Sequence, residues 1–308
     1  MDRRSLRFTR ARNALFRACM VLAPCGALSL GDGAAAQINS SALVPAQAPA
    51  KEALAPVDDT HLWYWDTGGQ GEPVVLLHPA SGSGLIWLYQ QPVFAKAGYR
   101  VIGYSRRSYN GSDPLAKERP GTGSGDLDAL AASLGVSKFH VVASAAGGTI
   151  ATDYALSHPD RLLSLTVADN SAGVRDGEIA KAAENIRIKG FDDMPVEFRE
   201  LGPSYRAANP EGAKLWTDLA HKAVTGGDFR QQVANQITTA KIEGLKVPTL
   251  LITGDADLIT PPSIMRLVAR HIPGSEVMIA PESGHSTYWE HPDLFNKTVL
   301  NFIAKHPR

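Results

Sequence analysis

Residues 141–148 read Val141-Val142-Ala143-Ser144-Ala145-Ala146-Gly147-Gly148. The apolar first half continues a strand expected over Phe139–Ala143. The small residues that follow allow a tight turn, and the glycines lead into a helix expected over Gly147–Ser157. A strand turned abruptly into a helix is the building unit of a parallel sheet with helices on its faces.

The pattern extends in both directions. Short apolar runs predict strands at Leu62–Trp65, Val74–Leu77, Arg100–Tyr104, Leu163–Ala168, Pro248–Thr253 and Glu276–Ile279. Between them, helical periodicity predicts Ile86–Lys96, Leu127–Leu134, Pro262–His271 and Pro292–Ala304. Pro262 suits a first helical turn, where the missing N–H would have no partner anyway. From Ser171 to Lys246 the strand signal disappears. Gly177–Lys189, Val196–Leu201, Glu211–Val224 and Asp228–Ala240 read as helices, separated by Gly-Pro and Asn-Pro breaks. The expected fold class is therefore α/β: a mostly parallel sheet flanked by helices, with core segments at 59–170 and 247–308 and a helical cap at 171–246.

The first 36 residues read differently. Arg3, Arg4, Arg7, Arg10, Arg12 and Arg17 precede an apolar run over Ala18–Leu30, and Ala34-Ala35-Ala36 offers a small-residue cleavage site. The run is shorter than the ~18 residues a membrane span needs, so an export leader is expected and stable membrane insertion is not. Arg3-Arg4-Ser5-Leu6 resembles a twin-arginine signal, which implies a periplasmic or secreted protein. Both cysteines, Cys19 and Cys25, lie in this leader, so the remainder can use neither disulfides nor thiol catalysis. Residues 37–58 are rich in Ala and Pro and read as a flexible linker.

The 308 residues carry a net charge of zero, with no long basic block outside the leader, which argues against nucleic acid as a partner. No Zn-type Cys/His cluster and no dinucleotide or P-loop glycine pattern appears, so neither a metal nor another cofactor is expected. Gly121-Thr122-Gly123-Ser124-Gly125 has no strand before it and reads as a loop.

Four segments occur in one order: Val74–Ala80, ending in His78-Pro79-Ala80; the 141–148 turn; Leu250–Asp257, with acids just past a strand; and Ser283-Gly284-His285. This order resembles the α/β-hydrolase superfamily, in its lid-bearing esterase and lactonase-like branch, over about residues 60–305. The Gly98–Ile102 and Tyr104-Ser105-Arg106-Arg107 stretches extend the similarity. The resemblance implies a hydrolase of small or medium carboxylic esters or lactones acting on a small-molecule substrate. It places the catalytic acid at Asp257, with Asp255 as a nearby rival, and the histidine at His285. It places the oxyanion-binding amides at Ala80 and Ala146. Pro79 stands where the family usually has glycine. His78 is expected to shape the oxyanion loop and His158 to be structural. Asp169, where some relatives place the acid, reads as a helix-start or hinge residue. Trp87 and Tyr109 are candidates to line a substrate pocket.

The nucleophile departs from the family pattern. Aligned on Gly147 and Gly148, the serine position holds Ala145, whose methyl group can neither attack nor exchange a proton. Ser144 sits one residue early, where its side chain should point away from the histidine. Three readings stay open. A serine was replaced to trap substrate, which the attached leader argues against. Ser144 acts through a shifted elbow. Or the reaction has no covalent step, and His285 acts as a general base on water or on a substrate proton, as in a hydrolase, lyase or cyclase. A small-molecule binding protein descended from an enzyme is a further alternative.

Overall fold

The computed structural model describes residues 43–226 and 231–308, so the expected leader lies outside the described residues. Strands β1 (Lys51–Val57), β2 (Thr60–Asp66), β3 (Pro73–Leu77), β4 (Arg100–Tyr104), β5 (Phe139–Ser144), β6 (Leu162–Ala168), β7 (Thr249–Gly254) and β8 (Glu276–Ala280) form one sheet in the order β1-β2-β4-β3-β5-β6-β7-β8. The β1–β2 and β2–β4 pairs are antiparallel and the remaining pairs are parallel.

The central strands are apolar throughout because both faces are covered. Successive residues of β3 serve opposite faces, as a pleated strand requires. Val75 and Leu77 pack with Leu127 and Leu130 of α2 (Gly123–Ser133), with Ile150 and Tyr154 of α3 (Ala146–Ser157), and with the helix Pro262–His271. Val74 and Leu76 pack on the other face with Phe94 of the helix Gln91–Lys96 and with Phe295 and Val299 of the helix Pro292–Ile303. In chain order these flanking helices are α1 (Gln91–Lys96), α9 (Pro262–His271) and α11 (Pro292–Ile303).

The segment between β6 and β7 is a helical insertion: α4 (Gly177–Ile186), α5 (Val196–Glu200), α6 (Pro203–Ala208), α7 (Pro210–Ala223) and α8 (Thr239–Glu243). A four-residue helix, α10 (Thr287–Glu290), precedes α11.

Four sequence expectations are corrected. Residues 37–58 do not all form a linker, because Lys51–Val57 is strand β1, paired along its length with β2. The residues just before it are tied down as well: the Ala48 N–H donates to Gln91 Oε1 and the Gln91 side-chain amide donates to the Ala48 carbonyl, each at 2.8 Å. The helix expected over Ile86–Lys96 is split into a 3₁₀ turn at Gly84–Ile86 and α1, which has Pro92 in its first turn. A proline there cannot donate to an upstream helical turn. Helix α2 begins at Gly123, inside the expected glycine loop, because the Thr122 hydroxyl accepts the Gly125 N–H at 3.0 Å and caps it.

The fourth concerns Asp228–Ala240. Residues 228–230 lie outside the described residues, and residues 231–238 are not helical; only Thr239–Glu243 coil. Asp153 of α3 provides the physical reason. Its carboxylate accepts the backbone N–H groups of Ala234 and Asn235 at 2.8 and 2.7 Å, and the Asn235 side-chain amide at 2.9 Å. Those tertiary bonds replace the ones a helix would have made.

Candidate active site

The register brings the C-terminal ends of the parallel strands together: Leu77 opposite Ala143, Ser144 opposite Ala168, Ala168 opposite Ile252 and Gly254 opposite Ala280. Loops leaving these ends converge on a crevice, the usual place for a ligand in an open α/β sheet.

The turn between β5 and α3 is sharp. Ala145 has φ 46° and ψ −120°, and its N–H donates to the Ala168 carbonyl at 2.9 Å. Such a backbone costs an L-residue about 1–3 kcal/mol, and it persists where the surrounding structure dictates it. Gly147 permits the turn, since a Cβ there would lie 2.3 Å from the Leu77 carbonyl oxygen. The Ala145 side chain borders a cavity of about 320 Å³, together with Ala80, Ala146, Asp169, Glu200 and His285. Ser144 is wholly buried, and its hydroxyl donates to Asp169 Oδ2 at 3.5 Å, a long contact. Among the described residues, no hydrogen bond joins Ser144 to His285.

His285, in the loop after β8, is brought to the same crevice. Its Nδ1 meets Asp257 Oδ2 at 2.8 Å, with both side chains buried. Asp257 is fixed in turn. Its Oδ1 accepts the Ile259 and Thr260 N–H groups at 2.7 and 2.8 Å, and Thr253 Oγ1 donates to Oδ2 at 3.3 Å. That leaves Nε2 of His285 for the cavity. Burial disfavours the imidazolium, but the Asp257 charge and its hydrogen bond do most to outweigh it and carry the His285 pKa up to about 10. Asp255 is exposed and outside the cavity lining.

The two candidate oxyanion amides stand at this cavity. Ala146 is the first residue of α3, so its N–H is one of the donors a helix leaves without an internal partner. The Ala80 N–H has no protein partner among the described residues. His78 is buried behind that loop. Its Nδ1 donates to the Pro79 carbonyl at 2.7 Å and its Nε2 accepts the Arg106 N–H at 3.1 Å. Burial, and then the Arg106 charge, hold the His78 pKa well below the ordinary histidine value. It is a neutral strut. His158 caps α3 and stacks on Tyr154 at 4.8 Å.

The structure does not bring Trp87 or Tyr109 to this cavity. Trp87 is buried against Tyr288, at 4.9 Å between ring centroids, and borders a separate hollow with Trp63 and Gln91. Tyr109 packs against His78 and under the Arg106 guanidinium, each at 4.5 Å. Both aromatics are packing residues here.

Three acids carry roles that their sequence context did not announce. Asp169 directly follows β6 with φ 54°, eight residues before α4, and so starts no helix. Its Oδ2 accepts the Thr287 hydroxyl at 3.0 Å, while Oδ1 is buried without a hydrogen-bond partner. Burial, and then the neighbouring Asp257 charge, push its pKa well above the carboxylate range. Glu200 ends α5 in the insertion, and its Oε2 is also buried without a partner. Burial raises its pKa too. Glu290 of α10 accepts the N–H groups of Gly202, Gly284 and Ser286, at 2.7, 3.0 and 3.3 Å. It thereby joins the insertion to the loop that carries His285, and burial brings its pKa to about 7. Only Asp169, placed just past a strand, gave a sequence signal that could have been followed. Among the described residues, no group of three or more His, Cys, Asp or Glu is spaced to hold a metal ion.

A family model described as "Alpha/beta hydrolase family" matches residues 74–298. A putative non-heme chloroperoxidase of Synechocystis sp. is 30 % identical over 271 residues, spanning 78 % of this chain and 94 % of that protein. A 2-hydroxy-6-oxononadienedioate/2-hydroxy-6-oxononatrienedioate hydrolase of Burkholderia vietnamiensis is 26 % identical over 264 residues, spanning 79 % and 90 %. Among solved structures, a thermophilic esterase from Thermogutta terrifontis superposes with a TM-score of 0.68 at 23 % identity, covering 83 % of this chain and all of that one.

Proposed function

Because the chain belongs to the alpha/beta hydrolase family, we propose that it hydrolyses small or medium carboxylic esters or lactones without a covalent enzyme intermediate. In this reading, His285 Nε2 takes a proton from water as the water oxygen attacks the substrate carbonyl. Asp257 holds the tautomer and stabilises the imidazolium that forms. The Ala80 and Ala146 amides donate to the developing oxyanion. The inserted helices act as a cap that selects the substrate.

One observation carries this reading. The elbow keeps its strained conformation with a methyl group at its tip, next to an imidazole already braced by a carboxylate. The 26 %-identical relative supports hydrolysis as the reaction class. The arginine-rich leader supports export to the periplasm or beyond, which cell fractionation checks.

The test is a panel of p-nitrophenyl esters and lactones, given to the purified protein, to His285→Ala and to Ala145→Ser. The wild type should release acid product with no acyl adduct detectable by mass spectrometry, and His285→Ala should lose that activity. Ala145→Ser should form an acyl adduct. Equal activity in wild type and His285→Ala would defeat the reading. Ala145 also favours a second reading, in which the same imidazole abstracts a substrate proton in lyase or cyclase chemistry. An Ala145→Ser protein that folds but gains no esterase activity would favour that reading. Thermal shift by a ligand without turnover would point instead to a binding protein.

A further inference from the structure

Glu200 reaches the catalytic crevice from outside the sheet. It closes α5, and its backbone carbonyl accepts the His285 N–H at 2.7 Å, so the cap and the histidine loop are bonded directly to each other. Its side chain borders the same cavity as Ala145, Ala146, Ala80 and His285. Residue 200 is 8 % exposed, and Oε2 has no hydrogen-bond partner. A carboxyl left unsatisfied in a buried, lined cavity is costly, and a ligand group that pairs with it recovers that cost.

The serine-free route has a place for a second acid, and this carboxyl fits it. When a serine attacks, the histidine that took its proton returns it to the leaving group. When water attacks directly, a separate acid can protonate the departing alkoxide in the same step. We propose that Glu200 is a further catalytic residue, the proton donor to the leaving alcohol of the ester or lactone. The role rests on the hydrolytic reading above.

The water oxygen bonds to the carbonyl carbon while its proton passes to His285 Nε2, and the carbonyl electrons move to the oxygen held by the Ala80 and Ala146 amides. The tetrahedral centre re-forms the carbonyl and breaks the bond to the alcohol oxygen, which takes the proton from Glu200. His285 then releases its proton to solvent and the Glu200 carboxylate takes one up from solvent, so the site is restored with no net change in protons. Burial favours the protonated carboxyl this requires, against the pull of His285, the Ser81 hydroxyl and the Arg199 charge; the Asp257 charge acts in the same sense as burial.

Leaving-group chemistry tests the assignment. Ethyl and p-nitrophenyl esters of one acid are compared in wild type, Glu200→Gln and Glu200→Asp. An ethoxide needs a proton in order to leave, and a nitrophenolate does not. Glu200→Gln should lose about 100-fold or more in kcat/KM on the ethyl ester and less than about tenfold on the nitrophenyl ester, with Glu200→Asp recovering part of the ethyl ester loss. Equal losses on the two esters would overturn the role of Glu200 while leaving the hydrolase reading intact. If Glu200→Gln does not fold, a series of leaving alcohols with the wild type decides. A shallow dependence of kcat/KM on alcohol acidity supports an enzymic proton donor, and a steep one overturns it. A wild type that turns over no ester or lactone sinks the hydrolytic reading, and this role with it.

Discussion

At the scale of single residues, the site is a set of charges whose balance sets its pH behaviour. A base must be neutral to accept a proton, and His285 carries a pKa of about 10. On p-nitrophenyl esters, whose leaving group needs no proton from Glu200, activity of the wild type is therefore expected to climb with pH through the neutral range toward 10, whereas on ethyl esters the deprotonation of Glu200 opposes that climb. Asp257→Asn removes the charge that does most to raise that pKa and frees the imidazole to adopt the wrong tautomer. Its kcat/KM should fall by on the order of 10³–10⁴-fold, with the rising limb moved to lower pH. A pH–rate profile of the two proteins checks both parts. Glu290 offers a stability test. Its folded pKa, about 7, lies above the ordinary glutamate value of 4.5. A raised pKa means stability that is fully present below about 4.5 and is lost as pH rises through about 7. Glu290→Gln turns an amide NH₂ toward backbone donors that the carboxylate accepted, so it should cost about 1–3 kcal/mol. The deficit, read from melting curves, should narrow as pH is raised from about 4.5 to about 7.

At the scale of elements, a side chain on one helix shapes a segment far along the chain. The irregular stretch 231–238 is held by Asp153, a buried residue of α3 that also accepts the Ser124 hydroxyl at 2.7 Å. Asp153→Ala would leave the Ala234 and Asn235 N–H groups without their acceptor. The expected outcome is a loss of about 1–3 kcal/mol and faster amide exchange confined largely to residues 231–238. Exchange spread evenly over the sheet would show that Asp153 does not anchor this segment. The local sequence permits a helix here, and the competing bonds come from a helix about 80 residues earlier, which periodicity cannot register. The elbow is the opposite case. Its strand, its small-residue turn and its helix lie within 20 residues, so the motif was legible directly. The lack of a Ser144–His285 hydrogen bond among the described residues fits its position one residue before the tip.

At the scale of the whole molecule, the antiparallel end of the sheet completes the core. Ala55 and Val57 of β1 are buried beside Leu62 of β2 and Ala131 of α2. A chain beginning at Asp58 would lose that burial and leave β2 as an unpaired edge. It should be less stable by about 2–4 kcal/mol than a chain beginning at Leu43, and should aggregate on refolding. Differential scanning calorimetry of the two truncations checks this. The sequence by itself determined the strand–helix alternation, the order of the four motifs, the positions of Asp257 and His285, and the absence of a nucleophile at 145. Those features are written in residues close together along the chain, or in a residue type that cannot do the chemistry. Only the tertiary structure decided that Glu200 and Asp169 line the cavity with the imidazole, that Glu290 ties the insertion to the histidine loop, that Trp87 and Tyr109 pack elsewhere, and that residues 51–57 join the sheet. Each of those facts depends on which distant segment supplies the neighbour, the hydrogen-bond partner or the burial, and the residues concerned would read equally well as ordinary surface acids, core aromatics or a loose tail.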